Sequence, residues 1–228
     1  ALAAAPFRFA NDAPWWTVLR QKVDENKRFV QSMMNDDAVP MGYYRVLREI
    51  RDQAPPGTII QAEGANTMDI SRSVLMHKEP RERLDAGTFG TMGVGLGQAI
   101  AAQLVHPDRK VVCVEGDSAF GFSGMEVETA CRYRLPIVFL IINNNGIGMG
   151  FDALPEDRFK SPAPAYTIQA GYERMIEGFG GKGYSVRTPA ELSTSLKQAL
   201  GDSMPSIINV HIDPRARAKP QKHHWLTA

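Results

Sequence analysis

Asp117, in Glu115-Gly116-Asp117-Ser118-Ala119-Phe120, and Asn144, in Asn143-Asn144-Asn145-Gly146, stand 27 positions apart, and each follows an apolar run. If the two runs are adjacent parallel strands, they deliver a carboxylate and a carboxamide oxygen to one edge of a sheet. Two residues further on, Gly146 adds a main-chain carbonyl. These are hard oxygen donors, suited to octahedral magnesium or to calcium, and three of them leave places for phosphate oxygens and water. The Gly116 turn and a helix starting near Ser123 let main-chain N–H groups face the same anion. A metal-bridged diphosphate is the natural guest. Singly, Gly-Asp and Asn-Asn pairs are ordinary turn formers; their pairing behind two strands, with a helix between, makes them specific.

Those two strands belong to a repeating pattern. Val111–Val114, Ile137–Ile142, Tyr184–Val186 and Ser206–Ile212 read as apolar strands, with Thr58-Ile59-Ile60 as a further one upstream. Between them the apolar spacing predicts helices over Ser123–Tyr133, Ala165–Phe179 and Pro189–Leu200. Nearer the start, Trp16, Leu19, Val23, Phe29 and Met33 recur at helical spacing within Trp15–Met34. Tyr43, Val46, Leu47 and Ile50 then keep the i, i+3, i+4, i+7 rule of a helix over Tyr43–Asp52 that Pro55-Pro56-Gly57 stops. Near-continuous apolar strands alternating with helices predict an α/β fold, a doubly wound, mostly parallel sheet with helices on both faces. In such sheets ligands bind at the carboxyl ends of the strands.

Asn145–Tyr166, with three glycines and three prolines and little periodicity, is a long loop of the functional or mobile kind. The chain is expected to divide into a linker and helix over residues 1–41, a binding domain over 42–213 and a tail over 214–228. That tail is either frayed or a lid ordered by ligand.

At 228 residues, 43% apolar and 22% charged, the chain is long enough for one core-forming domain or at most two small ones. Its 26 basic and 25 acidic residues leave a net charge of +1, which is not the phosphate-neutralising footprint of a nucleic-acid binder. No apolar run reaches the roughly 18 residues of a membrane-spanning helix. Neither nucleic acid nor membrane is therefore expected as a partner. Cys113 and Cys131 have neither zinc spacing nor disulfide density and suit a reduced, intracellular protein. His77, His106, His211, His223 and His224 also lack metal-ligand spacing. The chain opens at Ala1-Leu2-Ala3 without Met or a signal-peptide pattern, so processing or a longer parent is expected.

A second constellation runs from Arg83 to Gly97, with five glycines in the eleven residues Gly87–Gly97, and leads into a helix over Gln98–Val105. It does not spell GxGxxG behind a strand, which argues against a nicotinamide site. Glycines at this density instead let the backbone approach a flat ligand closely. Gly-Asp-Ser followed at that interval by the double Asn resembles the signature of thiamine-diphosphate enzymes. By that resemblance Asp117, Asn144 and the Gly146 carbonyl hold Mg²⁺, Ser118 and Ala119 meet the diphosphate, and Ile147 lies among the cofactor contacts. Gly90-Thr91-Met92 resembles the element that holds the aminopyrimidine, with the Gly90 carbonyl as acceptor and Met92 as a wedge beneath the bent cofactor. Without the neighbouring motif Met92 would read as an adaptable core residue.

From about Glu63 to Leu226 the chain resembles a narrower group, the 2-hydroxyacyl-CoA lyases, with the oxalyl-CoA decarboxylases close behind. The matching stretches are Glu63–Ile70, Arg83–Gly97, Val114–Arg134, Asn143–Ile147, Phe179–Tyr184 and the ending His224-Trp225-Leu226-Thr227. Thr67-Met68-Asp69-Ile70 and the ending resemble the lyases more than the decarboxylases. The resemblance implies the thiamine-diphosphate-binding fold of the diphosphate-type domain. It places Ala65, Asn66 and Thr67 near the diphosphate and Arg72 within reach of an acyl-CoA. It also implies a carbon–carbon lyase that splits a 2-hydroxyacyl-CoA into formyl-CoA and an aldehyde. An oxalyl-CoA decarboxylase and a non-catalytic diphosphate-binding module are the alternatives.

In that family the activating glutamate lies on a separate pyrimidine-binding domain, which this chain lacks. Glu63, Glu115 and Glu126 qualify by residue type only, and charge and packing explain them sufficiently. The chain is therefore expected to be the carboxyl-terminal domain of a longer protein, inactive alone. The pyrimidine-binding domain would lie upstream or on another subunit, in a homodimer or homotetramer. Two departures stand out: Gly148, where the family usually presents a tyrosine to the substrate, and Pro40-Met41 ahead of Tyr43-Tyr44, where decarboxylases place a diphosphate-contacting tyrosine. The Arg215–Lys222 cluster either meets CoA phosphates or is simply solvated. Leu226-Thr227-Ala228 is not a peroxisomal signal, so the cytoplasm is the expected location.

Overall fold

The computed structural model describes residue 8 and residues 10–77 and 79–218. Six strands form one sheet: β1 Ile59–Glu63, β2 Arg83–Asp85, β3 Val111–Gly116, β4 Val138–Asn143, β5 Lys182–Val186 and β6 Ser206–His211. Their order is β2-β1-β3-β4-β6-β5, and every neighbouring pair is parallel. The expected doubly wound α/β sheet is thus present, and it is wholly rather than mostly parallel. The helices are α1 Pro14–Met34, α2 Tyr43–Gln53, α3 Ala65–Val74, α4 Gly95–Val105, α5 Asp117–Ser123, α6 Glu126–Arg132, α7 Glu173–Glu177 and α8 Pro189–Gly201.

Successive side chains of a strand point to opposite faces, so continuous apolar strands feed two cores. Val112, Val114, Leu140, Ile142, Ile208 and Val210 pack against α2, α3 and α8 on one face. Val111, Cys113, Phe139, Ile141 and Ile207 pack against α4 to α7 on the other. The chain leaves β1 into α3 on the first face and leaves β3 into α5 and α6 on the second. Crossovers that part in this way open a crevice between the carboxyl ends of β1 and β3, the switch point where doubly wound sheets bind ligands.

The helix read over Trp15–Met34 forms as α1, with Pro14 at its first turn. Among its residues only Met34 is buried, and Trp15, Val18, Leu19, Val23 and Phe29 remain exposed. No described helix is long and apolar enough to cross a membrane.

Several elements differ from the sequence expectation. The single helix over Ser123–Tyr133 is instead α5 and α6, separated at Gly124-Met125, and α5 begins at Asp117 itself. Gly124 permits that turn because a Cβ there would stand 2.9 Å from the Phe120 ring. The helix expected over Ala165–Phe179 contracts to α7. Its upstream donors are committed elsewhere: Tyr166 N–H donates to the Asn145 carbonyl (3.0 Å) and Gln169 N–H to Asn145 Oδ1 (2.8 Å). β1 runs on through Gln61 and Glu63, α4 starts three residues before Gln98, and α3 and β2 are additional to the sequence reading.

Leu140 is fully buried in the central strand and Val18 is 65% exposed on α1. Leu140→Ala is expected to lower the unfolding free energy of the chain by about 2–5 kcal/mol, and Val18→Ala by less than about 0.5 kcal/mol. Urea denaturation measures both.

Candidate functional site

Three adjacent strands end at the crevice, and each hands over to a different device. β1 ends at Glu63, and Gly64, at φ +99°, turns the chain into α3. No side chain caps that helix, so the N–H groups of Ala65, Asn66 and Thr67 carry no intrahelical bond at its first turn. β3 ends at Gly116, and Asp117 follows as the first residue of α5. β4 ends at Asn143, and Asn144, Asn145 and Gly146 follow, with Asn145 left-handed at φ +66°. A cavity of about 220 Å³ lies between them.

The register explains how Asp117 and Asn144 meet. Gly116 on β3 pairs with Ile142 on β4, so the two residues leave neighbouring strands almost level with each other. Asp117 is 2% exposed. Its Oδ1 accepts from Ser118 N–H (2.8 Å) and its Oδ2 from Gly146 N–H (3.1 Å), while Asn144 Oδ1 accepts from the same Gly146 N–H (3.2 Å). No ion pair to Asp117 occurs among the described residues. Burial pushes its carboxyl from the ordinary 3.8 up to about 7, against the main-chain hydrogen bonds that pull it down. A desolvated carboxylate held only by neutral donors calls for a cation.

Among the described residues no cluster of three His, Cys, Asp or Glu side chains could hold a metal. The donors the structure brings together are the Asp117 carboxylate and the Asn144 carboxamide oxygen, with Gly146 lining the same cavity, and such oxygens suit a hard ion that keeps phosphate and water ligands. The residues present would fit a hard divalent ion such as Mg²⁺.

The loop that carries Asn144 is fixed from behind. Asn145 Nδ2 donates to the Phe151 carbonyl (2.9 Å), Phe151 N–H donates to the Asn144 carbonyl (3.2 Å), and Gly150 N–H donates to the Pro214 carbonyl (3.0 Å). A Cβ on Gly150 would stand 2.0 Å from the Asn144 carbonyl oxygen and 2.7 Å from that of Pro214. Glycine at this position allows the tail after β6 to pass against the loop.

Of the residues singled out in the sequence, Ala65, Asn66, Thr67, Met92, Asp117, Ser118, Asn144, Gly146 and Ile147 line the cavity. Gly90 and Thr91 do not: they are exposed on the turn before Met92, Gly90 left-handed at φ +58°. Ala119 is fully buried beneath the site, beside Gly64. Gly148, the departure from the family, lines the cavity at φ +71°, and its carbonyl accepts from Asn66 Nδ2 (2.8 Å). A side chain there would be strained by the backbone.

Tyr43 and Phe122 also line the cavity. Tyr43 lies on the buried face of α2, and burial together with Asp117 raises its hydroxyl pKa. Helical spacing marks Tyr43 as inward-facing but cannot tell core from cavity wall.

Arg72 ion-pairs with Asp69 (3.4 Å) and Asp85 (3.3 Å). Glu126 is exposed at the start of α6. Glu63 and Glu115 are fully buried register partners on β1 and β3. Burial and the Glu63 carboxylate hold Glu115 well above the usual carboxylate range, and burial raises the thiol of Cys113, whose Sγ donates to Glu115 Oε1 (3.2 Å). His211, at the end of β6, pairs with Ser185 Oγ (3.0 Å). Arg215 and Arg217 are described, whereas residues 219–228, with His223, His224 and the ending, lie outside the described residues.

Residues 62–210 match the family model of the C-terminal TPP binding domain of thiamine pyrophosphate enzymes. The chain is 50% identical over 235 residues to 2-hydroxyacyl-CoA lyase 1 of Mus musculus, covering 97% of this chain and 40% of that protein. It is 48% identical over 242 residues to the Homo sapiens lyase, at 99% and 41% coverage. It is 40% identical over 211 residues to oxalyl-CoA decarboxylase of Escherichia coli (strain K12), at 91% and 37%. The chain thus spans about 40% of the length of these curated relatives. A solved structure, the thiamine diphosphate-dependent 4-hydroxybenzoylformate decarboxylase of Rhodococcus jostii RHA1, superposes with a TM-score of 0.66 at 25% identity, covering 77% of this chain and 33% of that one.

The raised Asp117 pKa has a consequence for the metal-free protein. The folded state holds this proton more tightly than the unfolded chain, so the contribution of Asp117 to stability falls as pH rises from about 4 to about 7 and stays low above that. Asp117→Ala has no group that titrates here, so the stability difference between wild type and variant is expected to move in the variant's favour by roughly 1–4 kcal/mol between pH 4 and pH 8. Urea unfolding at both pH values measures it.

Proposed function

The chain belongs to the family of C-terminal TPP-binding domains of thiamine pyrophosphate enzymes, and from that membership we propose that it holds the diphosphate of thiamine diphosphate through Mg²⁺ in a 2-hydroxyacyl-CoA lyase. The observation that carries this reading is the buried Asp117 carboxylate, without a countercharge among the described residues, beside Asn144 and Gly146 at the switch point of the sheet. Identity of 50% to the mouse lyase against 40% to the bacterial decarboxylase favours the lyase among the two reactions.

When bound, thiamine diphosphate supplies an electron sink for cleaving a carbon–carbon bond next to a thioester carbonyl. The chain's own part is to bind and orient. Asp117, Asn144 and Gly146 hold the metal, and the uncapped N–H groups of Ala65, Asn66 and Thr67 face phosphate oxygens. Met92, Ile147 and Phe122 supply apolar walls against which the cofactor can pack. Gly90, Thr91 and the 97%-exposed Phe89 lie outside this cavity, where the pyrimidine-binding domain, upstream or on another subunit of a dimer or tetramer, would cover them. No carboxylate of this chain is assigned the activating role, so the chain alone is inactive. The assembled enzyme converts a 2-hydroxyacyl-CoA into formyl-CoA and an aldehyde.

Two measurements test this. In isothermal titration the chain binds thiamine diphosphate only with Mg²⁺ present, and Asp117→Ala abolishes the binding; binding that ignores the metal or Asp117 contradicts the proposal. In the parent protein, formyl-CoA should appear with an aldehyde, and formyl-CoA with CO₂ from oxalyl-CoA would instead assign the decarboxylase.

A further inference from the structure

Glu63 closes β1 with its side chain fully buried on the face that α4 covers. Its two carboxylate oxygens accept from main-chain donors 30 and 32 residues downstream, Oε1 from Gly93 N–H and Oε2 from Gly95 N–H. Gly95 is the first residue of α4, and Gly93 follows Met92, which lines the cavity. On the other side of Glu63, Gly64 and Ala65 line the same cavity. One carboxylate therefore ties two cavity walls together, the β1–α3 turn and the Met92 turn.

The glycines leave little freedom in this arrangement. A Cβ on Gly95 would stand 2.1 Å from Glu115 Oε1 and 2.5 Å from Gln61 Nε2, and one on Gly93, at φ +85°, would stand 2.8 Å from Phe122 Cβ. The backbone can approach the carboxylate this closely because neither residue carries a side chain. Two N–H donors converging on one group also require two acceptors. A carboxylate has them, whereas an amide turns one into a donor.

We propose that Glu63 is a positioning residue for the thiazolium and pyrimidine half of thiamine diphosphate: it sets the Met92 turn against the opposite wall, while Asp117, Asn144 and the first turn of α3, which the pairing of β1 with β3 holds in place, grip the diphosphate half independently. The proposal rests on the thiamine diphosphate reading above. It gives a role other than proton abstraction to a glutamate that residue type alone does not distinguish from Glu115 or Glu126.

The test compares two probes on the 228-residue chain with Mg²⁺ present: thiamine diphosphate and inorganic pyrophosphate, each by isothermal titration. The wild type should bind thiamine diphosphate more tightly than pyrophosphate. Glu63→Gln should weaken thiamine diphosphate by about 10–100-fold and leave pyrophosphate within about twofold, so that the margin between the probes closes. If Glu63→Gln does not fold, Glu63→Asp decides the case. It keeps the charge but is one methylene short, and the same selective loss at smaller size is expected. Equal loss for both probes would make Glu63 a stability residue only and overturn the proposal, as would an unchanged margin or a wild type without preference. A wild type that binds neither probe would overturn the underlying thiamine diphosphate reading instead.

Discussion

The Asp117 carboxylate, shut away from water and held only by main-chain donors, is the constraint to which the rest of the site answers. Desolvation penalises its charge. The same low effective dielectric that makes this placement costly strengthens its attraction to a cation. Such a group is tolerated only where the scaffold is strong enough to impose it. Here that scaffold is a parallel sheet whose central strands are buried on both faces, β3 and β4 among them. Their pairing fixes the separation of Asp117 and Asn144 before any ligand arrives.

Much of the remaining structure keeps the loops at that edge in place. Asn145 adopts a left-handed conformation, and its side chain bonds to both Phe151 and Gln169, so one residue joins the start of the long loop to its far end. Gly150 lets the Asn144 loop and the chain after β6 come within contact. Glu63 performs the matching task on the opposite wall, through Gly93 and Gly95. The cavity is thereby framed by buried polar side chains that bond to main chain, which holds a loop more closely than apolar packing alone.

The alternation of apolar strands and helices was legible in the sequence because period-two burial on both faces leaves continuous runs such as Val138–Asn143. The Asp117 and Asn144 pair was legible for the same reason, since each residue directly follows such a run. Other features were not, for identifiable causes. β1 continues through Gln61 and Glu63, whose polar side chains break the apolar signature because their bonding partners are supplied by distant segments. β2 has three residues, and its Arg83 and Asp85 satisfy each other by an ion pair, so it carries no apolar run at all. The segment Ala165–Phe179 has helical spacing, yet its first donors serve Asn145, a tertiary choice that periodicity cannot report. Tyr43 shares its helix face with core residues and only the folded chain reveals that this face also reaches the cavity.

The central claim, that Asp117, Asn144 and Gly146 together form a divalent-cation site for a diphosphate, is most directly tested by crystals of the chain grown with Mn²⁺ and thiamine diphosphate. An anomalous difference map should show one strong peak between the Asp117 and Asn144 side-chain oxygens, in contact with the diphosphate. Diphosphate density at the crevice without a metal peak there, or a peak bound only by other residues, would contradict it.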